Sequence, residues 1–323
     1  MENEGFTQRA RASLVVVDEN QSAQRVDNFL LRELKGVPRS HVYRLLRGGE
    51  VRVNSRRVDA TYRLQPGDRV RIPPVRRSAP AARPAAAPRT TGFPIVFEDE
   101  ALLVIDKPAG IAVHGGSGVG FGVIERLRAE RPQARFLELV HRLDRETSGL
   151  LAVAKKRPAL LALHAALRAG RVTKRYLALV SGSWRQPPGD VVLPLRKRVT
   201  RAGERRVSVA QGGQASRTRF RLAARCGTFA LVEATLVTGR THQIRVHLAH
   251  LGYPVAGDDK YGDFELNRRL AKQGLKRMFL HAHELAFDHP LTGAPLALAA
   301  PLPPELARIL AELQASRVDA ATV

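Results

Sequence analysis

Apolar positions recur along this chain with two different periods. Residues 13–17, Ser-Leu-Val-Val-Val, form a short apolar run that predicts a strand. Arg25 to Leu34 carries apolar residues at 26, 29, 30 and 34, which is a helical stripe. Gly36 stops that helix and Pro38 marks a turn. A second short helix is predicted from Ser40 to Leu46. It turns Val42, Leu45 and Leu46 inward and Arg39, Arg44 and Arg47 outward. Gly48-Gly49 ends it, and Val51-Arg52-Val53 alternates as a strand. Pro66-Gly67-Asp68 is a turn signal before a further alternating strand, Arg69 to Ile72. Residues 13–75 therefore read as a small unit of two helices and a few strands.

Residues 76–92 lack both periods. Pro, Ala and Arg dominate, and no acid is present. Such a segment predicts an extended, semi-stiff linker. A second unit is expected over 93–313, with a tail over 314–323. Ile95–Phe97 and Leu102–Ile105 read as strands, Gly122–Arg131 as a helix, and Pro158–Ala169 as another. Strands are expected at Arg175–Val180 and Phe229–Val237, and 275–283 with Ala286-Phe287 closes the sheet. Residues 196–221 are strongly basic and read as a hairpin with a Gly-containing turn. Gly239–Leu248 enters a helix, and Leu302–Leu313 is an amphipathic C-terminal helix. Strands outnumber helices without strict alternation. The predicted fold is α+β: a small helix-strand unit, a linker, then a mixed, largely antiparallel sheet with peripheral helices and a central cleft.

Composition narrows the partner. The 323 residues are 44% hydrophobic, which suits a packed core, yet the net charge is +23 and the pI about 11.3. A chain this basic points to a polyanion. One cysteine, Cys226, excludes a disulfide framework and a Cys-rich zinc site. The polar, acidic start lacks an apolar signal segment, and no run reaches 18 apolar residues. A cytoplasmic protein with no membrane partner is expected, with a monomer as the default.

Three constellations carry candidate chemistry. Histidines cluster at 242, 247 and 250 and at 281 and 283. A zinc helix needs His at i and i+4 with an acid between, whereas here the spacing is five and Arg245 intervenes, so no metal is expected. Asp144 and Glu146 are too close on one loop to flank a sugar as a glycosidase pair does. The third set is Asp144, Tyr176 and Arg245, drawn from three distant segments. Asp144 lies in a polar loop between two apolar runs, with Arg142 and Arg145 nearby to favour its ionised form. Arginine is the permanent cation suited to a buried carboxylate, and an aromatic ring is what an unstacked base rests on. The sequence alone does not show that the three meet.

His141-Arg142-Leu143-Asp144-Arg145-Glu146-Thr147-Ser148-Gly149 resembles the central motif of the RluA-type RNA pseudouridine synthases. Lys174-Arg175-Tyr176 resembles the family's tyrosine motif, and Gly239-Arg240-Thr241-His242-Gln243-Ile244-Arg245-Val246-His247 its later motif, all in family order. Val37-Pro38-Arg39-Ser40, residues 47–54 and Pro66-Gly67-Asp68 resemble an S4 RNA-binding domain, with Ser55 where that pattern usually has Gly. Val75-Arg76-Arg77 and residues 114–122 are most similar to a branch acting on large-subunit ribosomal RNA.

The resemblance implies isomerisation of uridines in 23S ribosomal RNA, or its large-subunit precursor, to pseudouridine without a cofactor. It makes Asp144 the nucleophile, Arg245 its ion-pair partner and Tyr176 the ring under the target uracil. Arg142 would hold or displace the flipped base. Ile244 and the S4 residues Arg39, Arg44 and Arg47 are the further candidate substrate contacts. Arg145, Glu146 and the five histidines are left without a role. A non-catalytic S4-type RNA-binding or ribosome-assembly factor is the alternative; Asp144, Tyr176 and Arg245 argue against it.

Overall fold

The computed structural model describes residues 12–34, 36–75, 92–115, 121–185, 189–199 and 205–320. The expected linker, except Gly92, and the Gly-rich loop beyond Gly115 lie outside these residues. The chain divides into two compact units.

The first unit contains β1 (Ser13–Val16), α1 (Val26–Glu33), α2 (Arg39–Arg47), β2 (Arg52–Val53) and β3 (Arg69–Ile72). The strands form an antiparallel sheet in the order β1-β3-β2. Both helices bury their apolar stripes, Phe29 and Leu30 from α1 and Val42, Leu45 and Leu46 from α2, against Val53, Leu64 and Val70. Arg39, Arg44 and Arg47 stand on the opposite, exposed face of α2. The Pro66-Gly67-Asp68 turn is tied by Asp68, whose carboxylate accepts from Gln65 N at 2.8 Å and from Asn54 Nδ2 at 2.7 Å. Ser55 adopts φ +66°, the left-handed region where a glycine would be unstrained.

The second unit begins with β4 (Ile95–Glu98), β5 (Leu102–Lys107), α3 (Val123–Glu130), β6 (Glu138–Leu139) and β7 (Ser148–Ala154). It continues through α4 (Arg157–Arg168), β8 (Thr173–Ser181), β9 (Asp190–Val192), β10 (Leu195–Val199), β11 (Arg205–Val209) and β12 (Arg217–Cys226). The last elements are β13 (Phe229–Leu236), α5 (Gln243–His250), α6 (Phe264–Lys272), β14 (Leu280–Asp288), β15 (Pro295–Ala299) and α7 (Pro304–Ala320). One ten-stranded sheet runs β4-β5-β7-β14-β8-β13-β12-β9, with β15 added on β14 and β6 on β7. All its pairings are antiparallel except β7 with β14. The expected mixed, largely antiparallel α+β architecture is present.

Several expected elements differ in extent. The 136–140 run yields only two strand residues, because the Arg128 guanidinium takes the Leu137 carbonyl at 2.7 Å. The basic stretch 196–221 is not one hairpin. β10 and β11 form a separate two-stranded ribbon, and β12 crosses into the main sheet after Gly212-Gly213. A Cβ on Gly213 would meet the Leu195 backbone at 2.7 Å, so this close turn divides the two structures. The late apolar stretch is one nine-residue strand, β14. The expected tail is helical as far as Ala320, because Gln, Ala and Arg continue past 313 with no Gly or Pro to stop the helix.

β14 lies between β7 and β8 and carries the register of the site. Ser148 and Gly149 of β7 stand opposite His281 and Ala282, while Tyr176 of β8 stands opposite Ala282 from the other side. Gly149 has φ +110°, and a Cβ there would lie 2.2 Å from the Ala282 carbonyl oxygen. Gly149→Ala should therefore destabilise this unit by about 3 kcal/mol or more, from backbone strain together with overpacking. Gly170→Ala, at φ +70° but facing open space, should lose only about 1 kcal/mol. Thermal unfolding of the two variants side by side checks the difference, and equal losses would refute the close-approach argument.

Candidate active site

Residues 140–147 leave β6 and enter β7 as a loop fastened from behind. The Lys107 ammonium is completely buried and donates to three carbonyls: Pro108 at 2.8 Å, Ile111 at 2.9 Å and Arg145 at 3.1 Å. Gly110 N donates to the same Arg145 oxygen at 2.9 Å. Burial pulls the Lys107 pKa down to about 7, while three acceptors receive the ammonium's three protons. Arg277 donates to the Glu146 carbonyl and to Ser148 Oγ, at 3.4 and 3.0 Å. The His141 ring accepts Ala152 N at 3.1 Å, and burial pushes its pKa down to about 4, which keeps it a neutral acceptor. Thr147 N closes a turn on the Asp144 carbonyl. The backbone on both sides of Asp144 is therefore fixed, and its carboxylate projects into the cleft with its side chain 26% exposed.

Arg245, from α5, meets that carboxylate. Its Nη1 donates to Asp144 Oδ2 at 3.1 Å. Its Nε and Nη2 form a bidentate pair with Asp258 at 2.7 Å each. Asp258 is fully buried and also accepts Lys260 N and Tyr261 N, at 2.8 and 3.1 Å. Burial works to lower the Arg245 pKa, but Asp258 and then Asp144 raise it above the ordinary value. Burial likewise works to raise Asp258, yet the arginine and two backbone amides hold it below the ordinary carboxylate range. The guanidinium also lies 5.1 Å from the Tyr261 ring centroid.

His242 precedes α5 in a left-handed conformation, φ +55°. Val207 N donates to Tyr261 Oη at 2.9 Å, so the phenol proton is free for His242 Nδ1 at 2.8 Å. With Nδ1 accepting, the neutral ring carries its proton on Nε2, 4.0 Å from Asp144 Oδ1. Burial lowers the His242 pKa and favours that neutral form.

Tyr176 and Ile244 complete the pocket around Asp144. Both are buried, at 6% and 3% exposure, and both line the same small cavity of about 70 Å³ with Asp144, Arg142 and Arg245. Burial raises the Tyr176 pKa, and Asp144 adds to the effect. The phenol stays protonated. Arg142 is exposed at the rim. Two further cavities, of about 580 and 630 Å³, adjoin this centre and share Arg142, Gly239 and Arg240.

Asp144, Tyr176 and Arg245, separate in sequence, thus share one cavity, together with Arg142 and Ile244. Arg39, Arg44 and Arg47 belong to the other unit. His247, His281 and His283 have individual partners. His247 bonds Ser216 Oγ at 2.9 Å, His281 joins Ser148 Oγ to the Ala300 carbonyl, and His283 faces Glu233 at 3.7 Å. Among the described residues no group of three or more His, Cys, Asp or Glu could hold a metal. Glu146 pairs with Arg145 at 2.9 Å. Asp258, Tyr261 and Lys107 were not anticipated. The excess of cations at the cleft was a signal for a buried acid, but no periodicity marks which acid it is.

The profile of the RNA pseudouridylate synthase family matches residues 101–250, and that of the S4 domain matches residues 24–70. The ribosomal large subunit pseudouridine synthase C of Pasteurella multocida is 52% identical over 305 residues, 93% of this chain and 94% of that protein.

The chain belongs to the RluA-type family of RNA pseudouridine synthases.

The synthase C of Escherichia coli K12 is 50% identical over 318 residues, 96% of this chain and 99% of that protein. Among solved structures, the human RNA pseudouridylate synthase domain containing 4 superposes with a TM-score of 0.55. It is 26% identical and covers 68% of this chain and 93% of its own.

Two outcomes are expected of this synthase. Asp258→Asn keeps the volume but removes the charge that holds Arg245, so turnover should fall about 100-fold with a smaller change in RNA affinity; unchanged kcat would show that Asp144 alone suffices to place the guanidinium. His281 is buried and neutral, with its pKa lowered by burial to about 4. The unfolded chain therefore binds a proton there that the folded chain does not between about 4 and about 6.5. Stability should fall as pH drops through that window, and His281→Gln should flatten the fall in denaturant melts taken across it.

Proposed function

We propose that this synthase isomerises specific uridines of 23S ribosomal RNA, or of its large-subunit precursor, in the cytoplasm. Two large-subunit enzymes about half identical over almost the whole chain support that substrate. So do the net charge of +23 and the S4 domain with its exposed arginines. The observation that carries the chemistry is the Asp144 carboxylate, held at 3.1 Å by a buried arginine beside a buried tyrosine ring.

In this reading the target uridine leaves the RNA stack and enters the cleft, at an unstacking cost of a few kcal/mol. Phosphate contacts and counterion release offset that cost. Arg142, at the rim, holds the flipped base or fills its place. Tyr176 and Ile244 face the uracil. Asp144 is the nucleophile and acts on the ribose, adding at C1′ or taking the 2′ proton as the N-glycosidic bond breaks. Uracil departs as an anion, turns, and bonds through C5 to C1′. The C5 proton is then exchanged for one on N1, and Asp144 leaves C1′ or returns the 2′ proton, so no atom is gained or lost overall. Arg245 pairs with the Asp144 carboxylate and aims it. Arg39, Arg44 and Arg47 contact RNA phosphate from the S4 domain.

Pseudouridine mapping of ribosomal RNA from cells with and without this protein tests the substrate. Asp144→Asn should abolish product while RNA affinity stays within several-fold. Retained turnover would remove Asp144 from the chemistry. Tyr176→Phe should lose less activity than Tyr176→Leu if the ring acts by stacking, and equal losses would end that role.

A further inference from the structure

The cavity of about 630 Å³ beside the catalytic centre has a lining unlike the rest of the cleft. Lys174, Arg168, Arg240 and Arg142 contribute cations, and His114, His141 and His164 also face it, but no Asp or Glu does. Its volume lies within the range of about 300–1,000 Å³ usual for ligand sites.

Lys174 is the unusual member. It is half-buried on β8, and no described residue offers its ammonium an ion pair or hydrogen bond. Burial alone acts on its pKa, and lowers it. An unpartnered, partly desolvated ammonium is unfavourable in the empty protein and gains most when an anion arrives. Its floor is close: a Cβ on Gly239 would sit 3.7 Å from Nζ. The neighbouring Arg175 does not share this state, since it pairs with Glu284 at 2.8 Å on the other face of the strand.

Position on the strand links this cation to the chemistry. Lys174 and Tyr176 are two residues apart on β8 and line the same cavity. Side chains two apart on a strand point to one face, about 6.6 Å apart. A base resting on Tyr176 would therefore put its own ribose-phosphate within reach of Lys174.

We infer that this acid-free cavity is a phosphate subsite, in which Lys174, flanked by Arg168 and Arg240, receives the backbone phosphate of RNA adjoining the target uridine. The inference rests on the RNA-substrate reading above. It makes Lys174 a substrate-binding residue that orients the extruded nucleotide over Tyr176.

The test uses the full chain and a synthetic RNA with a uridine that it converts. Each phosphate near that uridine is replaced in turn by a neutral methylphosphonate. For the wild-type chain, one replacement beside the target should weaken binding about tenfold. Lys174→Gln should weaken binding to the unmodified RNA by a similar factor and lose nothing further on that one replacement. Lys174→Arg should keep the sensitivity. The slope of log affinity against log salt should fall by about 0.7 in Lys174→Gln, one phosphate contact on a single strand. Its melting temperature should hold or rise, because the ammonium has no partner within the fold. Losses that add at every phosphate position, or wild-type binding and turnover by Lys174→Gln, would overturn the subsite. Failure of the wild-type chain to make pseudouridine in the unmodified RNA would overturn the substrate reading instead.

Discussion

The aim of the Asp144 carboxylate depends on one guanidinium. Arg245 is 5% exposed, and desolvating a cation to that degree costs several kcal/mol unless its donors are satisfied. Asp258 takes two of them in planar, bidentate fashion, which fixes the ring-like plane of the group and so the direction of Nη1. Only then does Nη1 point at Asp144. Lysine could neutralise Asp144 but could not be held by one acid while facing another in a set plane. The same plane lies near the Tyr261 ring, whose hydroxyl orients His242 toward the other oxygen of Asp144. The two carboxylate oxygens thus meet different groups. One accepts from a permanent cation, and the other faces a neutral ring N–H.

The loop carrying Asp144 is rigid for reasons that lie behind it. Lys107 and Arg277 reach carbonyls on its far side, so the cations stiffen the main chain while the cleft side stays open to substrate. Such main-chain clamps are unaffected by which side chains the loop presents. They explain how a run of charged residues, normally a mobile surface segment, holds the Asp144 carboxylate in one place.

Much of this was legible in the sequence. The apolar stripes of α1 and α2 and the alternation of β3 are local signals, and the residues that carry them are buried as the periodicity requires. The three residues that share the cavity were legible because each lies in a motif that resembles one of the family's, in family order; only Asp144 stands in a polar string between apolar runs. Asp258 was not, since an acid after Gly257 in a polar loop looks like any turn until Arg245 is seen beside it. β14 was split in prediction because Glu284 interrupts its apolar pattern, though that acid is paired with Arg175. β15 was missed because it begins on Pro295, a residue tolerated only at the start or edge of a strand. The ribbon of β10 and β11 was merged with β12 because charge continues across both, whereas the division lies in the Gly212-Gly213 backbone.

The placement of β14 has a consequence for how activity arises as the chain is made. β7 and β8 leave the ribosome early, with α4 between them, but do not pair with each other. The strand that fills the gap between them is the second-to-last of the sheet, and it alone fixes Ser148 and Tyr176 to a common partner. Its contact with β7 joins residues 133 positions apart, a closure that is slow on entropic grounds. The nascent protein therefore carries its motif residues long before it carries a catalyst. Competence appears in one late step, when β14 enters the middle of the sheet and brings the two halves of the site to their working separation.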